Sequence, residues 1–238
     1  MVARPRRRQL DPVQFIREQL PLAPVPLLPG ICLHRAQPSS GLWRLAESDP
    51  DFGAPYWAYA WAGGLALARH FAEHPETVAG RRVLDLGAGS GLVAIAAAKA
   101  GACEVMAAET NRYGVAALGL NAAANDVVLS VVGEDITAGP APDVDLIAVG
   151  DLFYAQELAD RVTAFLDRCV VANITVLVGD PGRAFLPRSR LRLVADYAVA
   201  DFGEGAQAPG GRSAVFAFER AELPCAGPLT TPRPSSDP

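Results

Sequence analysis

Four cysteines in 238 residues, Cys32, Cys103, Cys169 and Cys225, show no C-x-x-C spacing. That removes the usual sequence signs of a zinc site and of a disulfide framework, so a reducing, cytoplasmic setting is expected. Histidine is scarcer still, at three. His70 and His74 lie four apart on an expected helix, but no third ligand stands near them in sequence, so no metal is expected and both read as surface histidines. No run of 18 or more apolar residues occurs, and the start of the chain lacks the apolar core of a secretory signal, so no membrane partner is expected. Positive charge is also short. With 21 Lys and Arg against 26 Asp and Glu the net charge is −5, which excludes a general nucleic-acid surface. The one basic cluster, RPRRR at residues 4–8, reads as a solvated tail.

Proline is sparse where it matters. Nine of the 20 fall in residues 1–60, six in 61–220 and five in 221–238. This distribution suggests one compact domain between two irregular ends. The expected division is an irregular extension over 1–53 with one short helix, a folded domain over 54–220, and a disordered tail over 221–238. An apolar content of 50% is ample for a core.

What is present centres on residues 81–109, RRVLDLGAGSGLVAIAAAKAGACEVMAAE. Val83 to Leu86 form a short apolar run, Gly87, Gly89 and Gly91 punctuate a turn, and an alanine-rich helix begins at Leu92. Strand, glycine turn, helix and second strand make a mononucleotide-binding half of an α/β fold. Residues 89–94, GSGLVA, also fit the dinucleotide pattern G-x-G-x-x-A, which keeps NAD as an alternative. Asp85 weighs against it, because a carboxylate at that strand end faces a pyrophosphate badly and an ammonium well. S-adenosylmethionine carries that ammonium and no phosphate. Glu109, ending the second strand, suits ribose hydroxyls under either reading.

Along the chain, Val13, Ile16 and Leu20 predict a helix over 12–20, with Asp11 as its N-cap before Pro12. Residues 21–50 hold too many prolines for a regular element. Tyr56, Trp57, Tyr59 and Trp61 come next, either as packing for the segment entering the sheet or, at Trp57 and Trp61, as walls of a methyl-donor site. Helices are expected over the second half of 54–71, over 112–124 and over 156–170. Strands are expected at 127–132, 143–150 and within NITVLVG before Asp180. Asp135 stands after one of them, positioned either for an adenine amino group or as a loop cap. Asp151-Leu152-Phe153-Tyr154 stands after another, where a second substrate arrives in open α/β sheets. Two final extended runs near 190–200 and 212–219, separated by DFGEGAQAPGG, predict a closing antiparallel strand rather than a second βαβαβ half.

These pieces carry a resemblance. PYWAYAWAGGLALAR at 55–69, VLDLGAGSGLVAIAAAKAGA at 83–102, GDLFYAQELAD at 150–160 and VLVGDPGR at 176–183 resemble the electron transfer flavoprotein β-subunit lysine methyltransferases, within the seven-β-strand protein-lysine methyltransferases. The resemblance implies a Rossmann-like α/β fold, a seven-stranded, mostly parallel sheet with a terminal antiparallel strand, and S-adenosylmethionine as methyl donor. It places Asp85, Gly87 and Gly89 at the methionine end of the donor, Glu109 at the ribose, and Asp135 at the adenine. Asp151 and Tyr154 match its acid-x-x-aromatic motif beside the acceptor lysine. Relatives can show two aspartates two apart where this chain has Glu109-Thr110-Asn111, so position 111 carries no expected role. The implied partner is the flavoprotein β-subunit, with ribosomal proteins or a small molecule as alternative acceptors, and the implied enzyme is a monomer. A donor-binding module without turnover is the non-enzymatic alternative, against which Asp151 and Tyr154 stand.

Overall fold

The computed structural model describes residues 11–199 and 211–221. The RPRRR run, all but the last residue of the 201–211 loop, Cys225 and the rest of the tail lie outside the described residues.

Helix α1 (Pro12–Gln19) starts as its sequence requires: Val13 N–H donates to the Asp11 carboxylate at 3.0 Å, and Pro12 occupies the first turn, where no N–H is needed. Strands β1 (Leu22–Val25) and β2 (Leu28–His34) then form an antiparallel hairpin, and helix α2 (Leu42–Ser48) comes after it. The expectation of irregular chain over 21–50 is therefore corrected. A two-stranded ribbon has only edge strands, and edges tolerate proline because no ladder on the outer side is lost. The hairpin is clipped to the rest of the molecule by two asparagines, one within and one just after a later helix, α5 (Arg112–Ala124). Asn125 accepts from Cys32 N–H at 2.9 Å and donates to Cys32 C=O at 2.6 Å, while Asn121 accepts from His34 N–H at 2.7 Å. Ile16, Leu20, Leu33, Leu42 and Phe52 are all buried, and all but Leu33 cluster with Trp57, Tyr113 and Ala117. The segment before residue 54 therefore shares a core with the domain rather than trailing from it.

Helix α3 (Ala62–Glu73) leads into the sheet. The sheet's strands are β3 (Arg82–Leu86), β4 (Glu104–Ala108), β5 (Ser130–Val132), β6 (Leu146–Gly150), β7 (Thr175–Asp180), β8 (Leu191–Ala198) and β9 (Arg212–Phe218). Their order is β5-β4-β3-β6-β7-β9-β8, parallel from β5 to β7, with β9 antiparallel to both of its neighbours. The near-continuous apolar runs of β3, β6 and β7 are buried, as strands covered on both faces must be. Helix α4 (Leu92–Lys99) packs on the same face as α3, and α6 (Gln156–Val171) sends Val162, Phe165, Leu166 and Cys169 into the other.

His70 is not a surface histidine. It is 6% exposed on the inner side of α3, and its Nδ1 lies 2.9 Å from the Tyr197 hydroxyl of β8, with burial pushing its pKa down.

Candidate active site at the carboxyl edge of the sheet

Strands β3, β6 and β7 are neighbours, and each ends in or just before an aspartate: Asp85, Asp151 and Asp180. In a parallel sheet those carboxyl ends share one edge, so the register alone brings three acids from distant sequence together. A cavity of about 520 Å³ opens there, within the size range of small-ligand sites. Its lining includes every residue singled out from the sequence: Trp57, Trp61, Asp85, Gly87, Gly89, Glu109, Asp135, Asp151 and Tyr154.

At the inner end, Asp85 is 2% exposed and accepts one hydrogen bond, from Ala94 N–H at 2.9 Å in the first turn of α4. It is thus a helix-capping carboxylate and a cavity wall at once. Burial raises its pKa to about 7 from 3.8, opposed by the Ala94 bond and reinforced by the charge of Glu109. Gly87 has φ +69°, and a Cβ there would come within 2.6 Å of the Leu152 side chain, so the turn both needs a left-handed residue and leaves no room for one larger than glycine. Glu109 ties this turn to β4. One of its oxygens accepts from Gly89 N–H at 2.9 Å, the other from Asn111 N–H at 2.7 Å, and each retains capacity for a further donor. Ser90, also in the turn, gives its carbonyl to Asn121 Nδ2 at 2.8 Å. Asn121 therefore connects the N-terminal hairpin to the glycine turn.

Asp135 closes its own turn, accepting from Thr137 N–H at 2.9 Å and from the Thr137 hydroxyl at 2.6 Å. Those two bonds hold its pKa below the usual value, and Arg161 lies 3.6 Å away.

At the mouth, Asp151 adopts φ +58°, a left-handed conformation that aspartate tolerates better than most residues. It is 8% exposed. One carboxylate oxygen accepts from Arg183 Nε at 3.2 Å and Nη2 at 2.7 Å; the other accepts from Gly64 N–H at 2.9 Å, in the first turn of α3. Burial raises its pKa to about 6 against the lowering effect of Arg183 and Gly64. Tyr154, 43% exposed, stands 5.1 Å ring to ring from Tyr56, which in turn faces Trp61 at 5.9 Å. The Trp61 indole N–H donates to Tyr56 C=O at 2.8 Å, and Arg183 lies 5.7 Å over the Trp61 ring.

The two tryptophans divide between the two readings offered for them. Trp57 is 1% exposed and stacks on Tyr113 at 5.7 Å against Phe52, in the core built by α1 and α5. Trp61 stands at the cavity mouth among the tyrosines. Two further residues shape the site without having been assigned a role from the sequence, Arg183 and Asn121. An arginine three residues after one strand-end acid, beside a strand ending in another, is a signal that points to the first. The second leaves no local signal, because its partners are 31 and 87 residues away.

A family model for ribosomal protein L11 methyltransferase (PrmA) matches residues 72–174. The electron transfer flavoprotein beta subunit lysine methyltransferase of Xenopus laevis is 36% identical over 214 residues, which is 87% of either chain. The chain belongs to this family. The counterpart in Danio rerio is 40% identical over 160 residues, 66% of this chain and 62% of that one. Among solved structures, a Pyrococcus horikoshii protein assigned as an RNA methyltransferase superposes with a TM-score of 0.51 at 17% identity, covering 69% of this chain and 88% of that one, a likeness of fold alone.

The methyl donor of this lysine methyltransferase is S-adenosylmethionine. Its cavity fits that molecule on its own evidence. A buried carboxyl, shifted to about 7 and with no cationic side chain among the groups that shift it in the described residues, offers a place for an ammonium, and Glu109 keeps acceptor capacity for hydroxyls. No helix among the described residues is long and apolar enough to cross a membrane.

Proposed function

We propose that this enzyme methylates a lysine of the electron transfer flavoprotein β-subunit, with Asp85, Gly87 and Gly89 around the methionine end of the donor, Glu109 at the ribose and Asp135 at the adenine. The observation that carries the reading is the meeting of two differently equipped ends in one cavity: a buried acid suited to the donor's ammonium, and an acid among aromatic rings at the mouth. Full-length likeness to the Xenopus laevis protein supports the choice of acceptor. The enzyme acts as a monomer, and its compartment is the cytoplasm, in keeping with the unpaired thiols of Cys32, Cys103 and Cys169.

Bound S-adenosylmethionine supplies a methyl carbon on a sulfonium, so that the lysine lone pair forms the N–C bond while the electrons of the broken C–S bond stay on sulfur. The protein's task is to present a neutral amine in line. A lysine with a pKa of about 10.4 is neutral in roughly one molecule of 2,500 at pH 7, a deficit of about 4.6 kcal/mol. Tyr56, Trp61 and Tyr154 strip water from the arriving side chain, which favours the neutral form. The oxygen of Asp151 that already accepts from Gly64 keeps a lone pair to aim an amine N–H, and the displaced proton leaves to water. Holding the nitrogen in line supplies several kcal/mol of the barrier reduction, of order 7 at most for a well-aligned pair.

The test is transfer of label from S-adenosylmethionine to purified flavoprotein and, separately, to ribosomal proteins, with the modified residue located by mass spectrometry. The expected result is lysine labelling of the β-subunit that disappears in Asp151→Ala while donor binding persists. Labelling of ribosomal proteins in its place would transfer the assignment to them.

A further inference from the structure

We propose that Arg183 is a positioning residue whose task is to cancel the charge of Asp151, so that the acceptor amine meets a neutral hydrogen-bonding pair instead of a bare carboxylate. The inference rests on the lysine-methylation reading above and deepens it.

The arrangement is built rather than incidental. Asp180, 1% exposed at the end of β7, accepts from Gly182 N–H and Arg183 N–H, both at 2.6 Å, and so fixes the turn that launches Arg183. Gly182 takes φ +102°, which this turn requires and side-chain-bearing residues avoid. From there the guanidinium reaches the acid after β6 with two nitrogens on one oxygen and lies over the Trp61 ring. The pair is largely enclosed, with side-chain exposures of 22% for Arg183 and 9% for Asp151. The second oxygen of Asp151 takes the Gly64 N–H, at the positive end of α3. Each of these contacts to the carboxylate comes from a donor that offsets its charge.

The chemistry makes that offset useful. A lone buried carboxylate beside the acceptor stabilises the ammonium and raises its pKa, and each unit raised removes a factor of ten from the reactive neutral fraction. Paired with Arg183, the same oxygen atoms can aim an N–H without holding the proton on it. The remaining charges do not substitute. Asp180 faces Asp151 from β7 and opposes its ionisation, and Arg188 acts on Asp180. Glu109 from the end of β4 and Arg161 from α6 act on Tyr154 with opposite signs, and Tyr56 reinforces Glu109 there. Asp85 lies at the donor end with Glu109, and Glu134 and Asp135 line the wall after β5. Arg183 is the cation bonded to the acid at the mouth.

The test is the pH dependence of kcat and KM for flavoprotein methylation by the wild-type enzyme, Arg183→Met, Arg183→Lys and the double variant Arg183→Met with Asp151→Asn, each first shown to bind S-adenosylmethionine as the wild type does. For Arg183→Met the acid limb of the rate profile is expected to move up by one pH unit or more. At pH 7 that is a loss of tenfold or more in kcat with KM unchanged or lower, because the bare carboxylate grips the ammonium. Arg183→Lys, which keeps the charge but not the two-nitrogen contact, is expected to recover part of the shift. In the double variant the limb, whatever its height, is expected to return toward that of the wild type. A loss in Arg183→Met that is equal at every pH, or a limb that the second substitution does not move back, would overturn the inference while leaving the lysine reading intact. No methylation by the wild-type enzyme would overturn both.

Discussion

Gly63 and Gly179 touch where the first turn of α3 crosses the end of β7, and the closeness of that crossing gives a sharp test of how Asp151 is held. A Cβ on Gly63 would lie 2.1 Å from the Gly179 carbonyl oxygen and 2.6 Å from Asp151 Oδ2. The first neighbour is backbone and cannot rotate away. Neither glycine has a positive φ, so the requirement is space and not dihedral freedom. Alanine at 63 gains about 0.8–1 kcal/mol of helix propensity. Against this, an overpacked site costs roughly 1–3 kcal/mol and sometimes more, and a 2.1 Å approach to backbone belongs at the upper end. The net expectation for Gly63→Ala is destabilisation by about 2 kcal/mol, or roughly 4–8 °C in Tm at this chain length, with loss of methyl transfer as the Asp151–Gly64 contact is pushed apart. Gly119→Ala is the matched control. It lies on the exposed side of α5 with nothing within 4 Å of the new Cβ, so the same chemical change should stabilise by up to about 1 kcal/mol. Thermal and urea unfolding of the two variants decides the matter. A Gly63→Ala protein as stable as Gly119→Ala would refute the packing argument, and an unchanged methylation rate would refute the link to Asp151.

Other consequences are open to the same kind of measurement. Asn121→Ala leaves the buried Ser90 carbonyl and the His34 N–H without their partner, at about 1–3 kcal/mol for each orphaned group. Urea unfolding should show a combined loss of about 2–4 kcal/mol, and calorimetry a weaker grip on S-adenosylmethionine as the glycine turn loosens. Asp85 gives a pH signature: its folded pKa, about 7, exceeds the 3.8 of the free group, so the folded state holds the extra proton and the contribution to stability, full below about 3.8, is lost as pH rises through 7. Tm of the ligand-free protein should therefore decline more between about pH 5 and 8 than Tm of Asp85→Asn, while donor affinity, which needs the ionised carboxyl, should climb over the same interval; parallel curves for the two proteins would remove Asp85 from the donor site.

The sheet is legible in the sequence because periodicity and punctuation agree. The apolar runs at β3, β6 and β7, the glycines after β3 and the asparagine and proline at helix starts are local signals, and each element they indicate is present. The third strand is shorter than its apolar run, Ser130–Val132 instead of 127–132, because an edge strand pairs only where β4 extends. Proline density hides the hairpin at 22–34, since it argues against a regular element only where strands have two neighbours, and both of these are edges. His70 is obscured for a different reason: its spacing with His74 suggests one face, but which face α3 buries is decided by β8 and Tyr197, 127 residues later. Site residues at strand ends can be named from the sequence, since strand ends collect at one edge. Their partners cannot, because Arg183 reaches Asp151, and Asn121 reaches His34, only once the chain has folded.

The three acids at adjacent strand ends show how one edge serves two charged ligands without collapsing under its own repulsion. Asp180 receives two backbone N–H groups on one oxygen, while burial still pushes its pKa up. Asp151 receives a guanidinium and the first turn of α3. Asp85 receives a single N–H and faces Glu109, and its pKa is pushed to about 7, above the value of about 6 at Asp151. Had all three been paired with arginine, the edge would be stable and would have nothing to offer a cationic donor; had none been, the desolvation of three carboxylates would fall on the fold. The graded arrangement assigns each acid a different task. Asp180 holds a turn, Asp151 aims without gripping, and Asp85 keeps an unmet charge at the one place where the proposed pose brings an ammonium. The ligand with the fixed positive charge is directed inward, to the acid lacking a cation, and the ligand that must shed its charge is left at the mouth, where the acid is already neutralised.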